Sequence, residues 1–538
     1  MSEAAAAFDA LAEEFFSVWF RYHPDVAVES DIRGFERLLP AQSDDELAAL
    51  GSWLETLVVA LEELDYAALD VSRQIDLRLM FGAARVEHQE LLERDWRHRD
   101  PLRYLPVGEI YRLTLQPSAD VRDALAALLG AVPEYLRLAL SRLRPMAELV
   151  APELAAAAVD ETERGRCYLR ELARSPWLRR HCHGWCELET QIDEACTALA
   201  AYGEALRGEI GARAGGRLGC GEAHLRLLFR HRHFMEFDSE RAHGVLLEAL
   251  DQVDKDLTEH CAELGLSPDR IWQHLEARSV EGVARLEACR RESEGLAAFF
   301  RGQGLVSLPA VPLRLCERPA CPRPLRCDAD YIPDRGGRVG TFFLSAAAEG
   351  AGRGEPLAVL RGRCLDRTWG GAHLLAFSAG DEGWRLPRRL CAGASLVGAW
   401  GLYLRQQLVE VGYLAPEDRL YALLQRRRSI RLALLDLDLH LGRVEGAEAL
   451  SRLDGIQATD QSDLVRLARQ PGDALAGVLG WRALGQVREL LARREGDLFS
   501  ERAFHDRLLS RGPIPLSLIL EQEVGHEQWR EAATPLGI

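Results

Sequence analysis

Helical spacing of apolar residues is the feature of this 538-residue chain that most restricts its fold. From Ser2 to His23, apolar side chains recur every three or four residues, and Pro24 then ends the run. The same spacing continues in long stretches up to Gly304 and returns from Pro356 to Ser510. No fixed repeat period accompanies it, which argues against a solenoid of identical units. The sequence therefore predicts a mainly α-helical protein.

One segment departs from this pattern. Val306 to Leu315 and Val339 to Leu344 are rich in β-type residues, and a Pro- and Gly-rich segment from Arg318 to Gly337 separates them. This composition predicts two or three short strands. We therefore divide the chain into a helical region, 1–304, and a second region with short strands and helices, 305–538. The two regions could form one continuous domain.

The charge and the N-terminus restrict the class of partner and the location. Acidic residues outnumber basic ones 83 to 66, and the net charge of -17 argues against nucleic acid or an anionic membrane as the main partner. The chain starts with neither the basic nor the apolar region of a signal peptide, so we expect a cytoplasmic protein. Twelve cysteines, mostly single, fit reduced core thiols better than a disulfide framework.

Two groups of residues in the second region form recognisable motifs. The first group lies on one predicted helix and consists of Arg428, Arg431, Leu432, Asp436 and His440. The second group consists of Phe504-His505-Asp506, Leu509, Gly512-Pro513 and Pro515-Leu516. Asp436 and His440 are four residues apart and would share one face of a helix.

At these residues the chain resembles the bacterial family known as domain-of-unknown-function 885. Its members carry R-A-x-R-L-x-x-D-x-G-L-H, most of whose residues this chain has in the same order, with one additional residue between Leu432 and Asp436 and with Asp438 in place of a glycine. They also carry F-H-D-x-x-L-x-x-G-x-x-P-L, which this chain matches almost completely. The resemblance implies a large, zincin-like helical fold with a small β-sheet lining a central cleft. It also implies descent from zinc-dependent peptidases.

Two further motifs of the family, H-E-x-x-P-G-H-H and E-G-W-A-L-Y, are poorly matched. Placing Gly412-Tyr413 on the family's Gly-Tyr pair assigns to these motifs Asp366, Arg367, Ala372 and His373, and then Gly398, Trp400, Leu402 and Tyr403. A catalytic zinc requires three protein ligands and a carboxylate that accepts a proton from its water. A guanidinium cannot accept that proton. By this resemblance we predict a member without metal, cofactor or catalytic residues.

A third comparison agrees with this prediction. The family's R-Y-x-x-x-P-x-Q-x-x-x-Y segment would supply tyrosine hydroxyls as oxyanion donors. At its positions this chain has Arg466-Leu467, Pro471, Asp473 and Gly477, so both hydroxyls are missing. Glu382-Gly383-Trp384 resembles the missing E-G-W. It lies too far from Asp436 for the family spacing, so we interpret it as a decoy, that is, a chance match and not the family's motif.

The first functional hypothesis is therefore a non-enzyme that keeps the cleft and binds a peptide or protein partner. The strand from Gly340 to Leu344 would be an edge strand that pairs with an extended peptide. For Asp436 and His440, a buried hydrogen bond that fixes helix packing is the alternative interpretation, and the role of His505 is equally open. The candidate cleft residues are Tyr403, Arg431, Asp436, His440 and His505.

Two other hypotheses stay open. The first is an active hydrolase with a relocated site built from His373, His440 and Asp436, joined by Asp366 or Cys364. The second is a scaffold protein without a ligand cleft.

Three local clusters invite weaker interpretations. The first, from His181 to Cys186, could hold zinc or be a loop with buried cysteines. The second, Cys316, Cys321 and Cys327, is also a candidate metal site, but it lacks the paired C-x-x-C spacing of zinc sites. The third could be an anion site or, more commonly for such clusters, a solvated basic face, and it consists of Arg226, Arg230 and His231-Arg232-His233.

Overall fold

The computed structural model of the protein describes most of the chain. The described residues are 3–30, 32–115, 117, 120–183, 185–318, 330–334, 336, 338–344, 354–380, 385–390, 393–454 and 461–538. Within them the protein is mainly helical with a few short strands, as the apolar spacing predicts.

The first region consists of helices joined by short turns. Ser43 begins one of them with the capping box expected from its sequence, because its hydroxyl accepts the Glu46 amide and the Glu46 carboxylate accepts the Ser43 amide, each at 3.2 Å. One π-helical segment, Leu206–Ile210, follows the helix that ends at Ala205. A second, Phe229–His233, follows the helix that ends at Leu228. The helices are α1 (Glu3–Tyr22), α2 (Pro24–Glu29), α3 (Asp44–Glu62), α4 (Val71–Glu93), α5 (Val107–Leu115), α6 (Val121–Leu143), α7 (Pro152–Arg174), α8 (Pro176–His181), α9 (Trp185–Ala205), α10 (Glu222–Leu228), α11 (Ser239–Glu263), α12 (Ile271–Glu276) and α13 (Val283–Gln303).

The second region adds helices and most of the strands. Its helices are α14 (Leu357–Arg367), α15 (Ala372–Phe377), α16 (Leu386–Leu390), α17 (Ala394–Glu410), α18 (Pro416–His440), α19 (Gly446–Asp454), α20 (Gln461–Arg469), α21 (Asp473–Glu495), α22 (Glu501–Leu509), α23 (Leu516–Val524) and α24 (His526–Ala533). The strands, of which the first precedes α13, are β1 (Ser279–Val280), β2 (Leu313–Glu317), β3 (Tyr331–Asp334), β4 (Val339–Leu344) and β5 (Glu355–Pro356).

The strands form two small sheets. β1 pairs with β5, and β4 lies between β2, to which it is parallel, and β3, to which it is antiparallel. Phe342 is in register with Leu315 on one side and Tyr331 on the other. The expectation that Gly340 to Leu344 is an edge strand is therefore wrong, because both edges of β4 are already hydrogen-bonded.

Helix α18 connects the two largest apolar cores. Its residues Ile430, Ala433 and Leu437 belong to the core formed with α11, α17, α21 and α23. Leu432 and Leu439 belong to the core formed with α5, α6, α7 and α9. Helix α18 therefore contributes apolar side chains to both cores and lies between them. The division of the chain at residue 304 stays a prediction.

One described helix, α6, is long and apolar enough to cross a membrane by length and composition alone. Its most apolar window has a mean hydropathy of 1.3, and half of that window is buried. Leu125, Leu128 and Leu136 belong to a core of the protein, as expected for an internal helix.

Candidate functional site

The predicted metal motif lies where one helix ends and the next begins. Helix α14 ends at Arg367 and α15 starts at Ala372, so Asp366 and His373 do not lie on one continuous helix. The intervening turn requires glycine, because a Cβ atom on Gly371 would lie 1.9 Å from the Asp366 carbonyl oxygen. The turn is held by the Trp400 indole, which donates to the Gly370 carbonyl at 2.8 Å.

Asp366, which we aligned with the family's first histidine, forms an ion pair. Its carboxylate lies 2.5 Å from a guanidinium nitrogen of Arg405 on α17. The neighbouring Arg367, which we aligned with the base of the family's motif, lies 3.9 Å from the Asp330 carboxylate. The Asp366 carboxylate therefore neutralises the Arg405 guanidinium.

His373 is fully buried, and both of its ring nitrogens have partners. The Val311 carbonyl lies 3.0 Å from Nε2, so Nε2 donates, and Nδ1 accepts from the Tyr331 hydroxyl at 2.9 Å. Burial lowers the pKa of His373 to about 4, although the hydrogen bond to Val311 opposes this effect. The ring is neutral, and a metal could bind it only after one of these hydrogen bonds broke.

Gly398, which we aligned with the family's acidic ligand, packs against another backbone. A Cβ atom on Gly398 would lie 2.9 Å from the Cα atom of Gly477, and a Cβ atom on Gly477 would lie 3.3 Å from the Cα atom of Gly398. We aligned Gly477 with one of the family's tyrosines. The space into which an acidic side chain would project from α17 is therefore filled by the backbone of α21.

Asp436 and His440 lie on α18 and are both fully buried. The Asp436 carboxylate accepts the amides of Gly472 and Leu475 at 3.1 Å each, and so it caps the N-terminus of α21. His440 Nε2 lies 3.1 Å from the Leu467 carbonyl and 3.3 Å from Asp436, and Nδ1 accepts the Cys220 amide at 3.1 Å. These contacts join four segments of the chain.

Tyr403 and His505 form a second buried pair. The Tyr403 hydroxyl lies 2.8 Å from His505 Nε2, and His505 Nδ1 lies 2.9 Å from the Leu305 carbonyl. Burial lowers the pKa of His505 and raises that of Tyr403. The adjacent Asp506 accepts the amide and hydroxyl of Ser307 at 2.8 and 2.6 Å. This motif therefore anchors the segment that leads into the sheet.

The five candidate residues do not converge on one point of the surface. Arg431 is half-buried on α18, where burial, and then the charge of Arg427, lower its pKa. Tyr403 and His505 contact each other, as do Asp436 and His440, but all four are buried. Their binding role stays a prediction.

The described residues contain no group of three or more His, Cys, Asp or Glu side chains that could hold a metal ion. In the cluster His181 to Cys186, Cys182 is buried, Cys186 is exposed, and Gly184 lies outside the described residues. The second cysteine cluster and the E-G-W decoy are also mostly outside them, since only Cys316 is described.

Sequence reasoning missed two features. The contact between Gly398 and Gly477 carries no local signal, because it depends on how two distant helices cross. A groove between α4 and α24 was missed because its residues come from four parts of the chain, although Arg230 and His231 of the basic cluster line it.

The fold and these contacts define a large, mainly helical protein in which motif side chains tie helix ends to neighbouring segments. The chain belongs to the family described as bacterial protein of unknown function (DUF885), whose family model matches residues 24–524. The membership in this family that the motifs indicated is thereby confirmed, whereas the zincin-like peptidase ancestry and the loss of a metal site stay predictions. No curated protein matches the sequence.

Two solved structures share the fold over nearly the whole chain. One is a candidate lipoprotein of unknown function from Shewanella oneidensis, with a TM-score of 0.73, 16% identity, and coverage of 96% of this chain and 99% of that chain. The other is a candidate lipoprotein from Colwellia psychrerythraea, with a TM-score of 0.76, 15% identity, and coverage of 98% and 100%. The predicted cytoplasmic location is contradicted by these two descriptions and is withdrawn.

Proposed function

We propose that this protein is a non-catalytic member of its family that binds a peptide or protein partner. The zincin-like ancestry and the loss of the metal site are parts of this proposal. No metal or cofactor takes part, and neither nucleic acid nor a membrane is the main partner.

The contact between Gly398 and Gly477 is the observation that carries the proposal. In the family these two positions hold an acidic ligand and a tyrosine. Here both are glycine, and each leaves just enough room for the backbone of the other. Because protein interiors are close-packed, restoring either side chain would require α17 and α21 to move apart. The glycines at 398 and 477 are therefore explained together, by one change in how α17 and α21 pack.

The remaining positions of the metal motif support the same proposal. Asp366 is neutralised by Arg405, and His373 uses both nitrogens inside the protein. A zinc site would need ligands that are free to turn toward a common point and a carboxylate base beside them. Arg367 stands at the position of that base.

The motif residues that do match the family have internal partners. Asp436 caps α21, His505 holds the segment that enters the sheet, and Arg428 lies 2.9 Å from the Asp463 carboxylate. These hydrogen bonds and this ion pair therefore stabilise the fold. A chain that keeps its scaffold while its reactive positions differ fits a binding protein better than an enzyme.

Metal analysis and a cleavage assay test the proposal on the purified full chain. The probe is a labelled pool of random peptides, followed by anisotropy for binding and by mass spectrometry for cleavage. We expect zinc far below one ion per chain, saturable binding of peptides, and no cleavage with or without added zinc. One tightly held zinc per chain with chelator-sensitive cleavage would establish a hydrolase instead. A lack of both binding and cleavage would also refute the proposal.

A further inference from the structure

A groove of about 670 Å³ lies on the surface formed by α4, the π-helical segment Phe229–His233 with the residues after it, and α23 with α24. This volume is in the range of small-molecule sites, which is about 300–1,000 Å³. Phe234, Met235 and Trp529 provide apolar walls. Arg230 and Arg530 stand at its rim, where both are exposed.

The wall formed by the π-helical segment depends on Gly82 of α4. A Cβ atom on Gly82 would lie 2.1 Å from the carbonyl oxygen of His231, so only glycine lets the two elements pack this closely. The segment ends at Phe234, which has φ 55° and ψ 43°. A bulky residue in this left-handed region is strained, and such strain and π-helical turns are common at functional sites.

The strained conformation directs the Phe234 ring toward the groove. The Arg78 guanidinium lies 5.5 Å from the centre of that ring and 2.9 Å from the Glu521 carboxylate. His526 lies 2.8 Å from the other oxygen of Glu521. Arg78 and His526 therefore both pair with Glu521, and the three side chains form a fixed side of the groove.

The other cations of the groove are not neutralised. Among the residues that the structure describes, neither Arg230 nor Arg530 has an ion-pair partner. Burial is the main cause that lowers the pKa of His231, and the positive potential of Arg230 and Arg85 lowers it further. Such a potential is notable on a chain with a net charge of -17. Unpaired guanidinium groups beside apolar walls suit an anion with an apolar body.

We propose that this groove binds an apolar carboxylate, whose charged group lies between Arg230 and Arg530 and whose apolar body packs on Phe234 and Trp529. A monoanion fits better than a phosphate dianion, because Glu236 and Glu521 also line the groove. A planar carboxylate can accept two parallel hydrogen bonds from one guanidinium. The ligand is either a free organic acid or the C-terminus of a peptide, and the groove is independent of whether the motif helices catalyse a reaction.

Calorimetric titration of the full chain tests this site with two pairs of probes. The free-acid pair is 4-phenylbutyrate and its amide, and the peptide pair is acetyl-Leu-Phe with a free or an amidated C-terminus. We expect at least one acid to bind about tenfold or more tightly than its amide, since the charge is its main anchor. Binding of only phenylbutyrate identifies a free acid, and binding of only the peptide acid identifies a peptide C-terminus. Binding of both supports the shared chemistry.

Variants locate the binding site. Arg230→Gln and Arg530→Gln should each weaken the better acid about tenfold, whereas its amide should be unaffected. Arg493→Gln is the matched control, because Arg493 is 82% exposed and lies outside the groove. Both groove residues are exposed, and circular dichroism of each variant should match the parent. Equal binding of acid and amide, binding unchanged in both groove variants, or no binding of either acid would overturn the proposal.

Discussion

The backbones of Gly398 and Gly477 touch where α17 crosses α21, so that a Cβ atom on Gly398 would lie 2.9 Å from the Cα atom of Gly477. Backbone cannot rotate out of the way as a long side chain can. We therefore expect Gly398→Ala to lower the free energy of unfolding by about 1–3 kcal/mol, the usual range for an overpacked core. Urea denaturation measures this change.

Gly401 on the same helix provides the control for that substitution. Its Cβ atom would meet nothing closer than the Arg405 side chain at 3.5 Å, which is an ordinary contact. Gly401→Ala should be neutral or stabilising by up to about 1 kcal/mol, because alanine favours a helix over glycine. Equal effects of the two substitutions would contradict the close approach of α17 and α21.

Asp436 should matter for stability because it caps a helix from outside. Its carboxylate accepts the Gly472 and Leu475 amides at the start of α21. Removing it leaves these buried donors without a partner, so Asp436→Ala should cost about 3 kcal/mol. Asp497→Asn, at an exposed aspartate, should change little. If thermal unfolding shows that Asp436→Ala and Asp497→Asn are both as stable as the parent, the cap does not contribute to stability.

Glu109 should make stability fall as the pH rises. Burial, and then the nearby Asp25 carboxylate, raise the pKa of Glu109 to about 7 from its ordinary value of 4.5. Between these two pH values the folded protein holds a proton that the unfolded chain has lost, so stability decreases from pH 4.5 to 7. Glu109→Gln cannot ionise and should be more stable than the parent at pH 8.

Urea titrations of the parent and of Glu109→Gln at pH 5 and pH 8 measure this difference. The substitution should matter more at pH 8 than at pH 5. An identical pH dependence in the two proteins would show that Glu109 ionises as easily in the folded protein as in the unfolded chain.

Cys289 on α13 and Cys364 on α14 should form a disulfide when the protein is oxidised. Both are buried, their sulfur atoms lie 2.6 Å apart, and the hydrogen bond from Cys364 lowers the pKa of the Cys289 thiol. Diamide would accept two electrons and two protons from the two thiols. Because the bond would close a loop of about 75 residues, it should add up to about 4 kcal/mol to stability.

Counting thiols after unfolding measures this reaction. Diamide treatment should remove two of the twelve thiols, and mass spectrometry should find the linked peptides. Cys364→Ser should abolish the link, whereas Cys261→Ser, at a buried cysteine elsewhere, should leave it intact. A link between other cysteines would contradict the predicted pairing.

The sequence by itself determined the helical class, the approximate position of two strands and the family. Apolar spacing and capping residues act within a few positions along the chain, so a helix such as α3 and its Ser43–Glu46 cap are visible without coordinates. The strand Val339 to Leu344 was predicted with its observed bounds. The motif around Phe504 identified the family for a similar reason, since its residues are close in sequence.

Only the tertiary structure decided what these residues contact. The sequence placed Asp436 and His440 on one polar face of a helix. In the structure each also forms hydrogen bonds with segments that are far away in sequence. The fit of Gly398 against Gly477, the central place of β4 and the basic groove beside Phe234 all depend on how distant elements pack. Packing brings together residues that are far apart along the chain, and a periodicity within one segment carries no information about its neighbour in space.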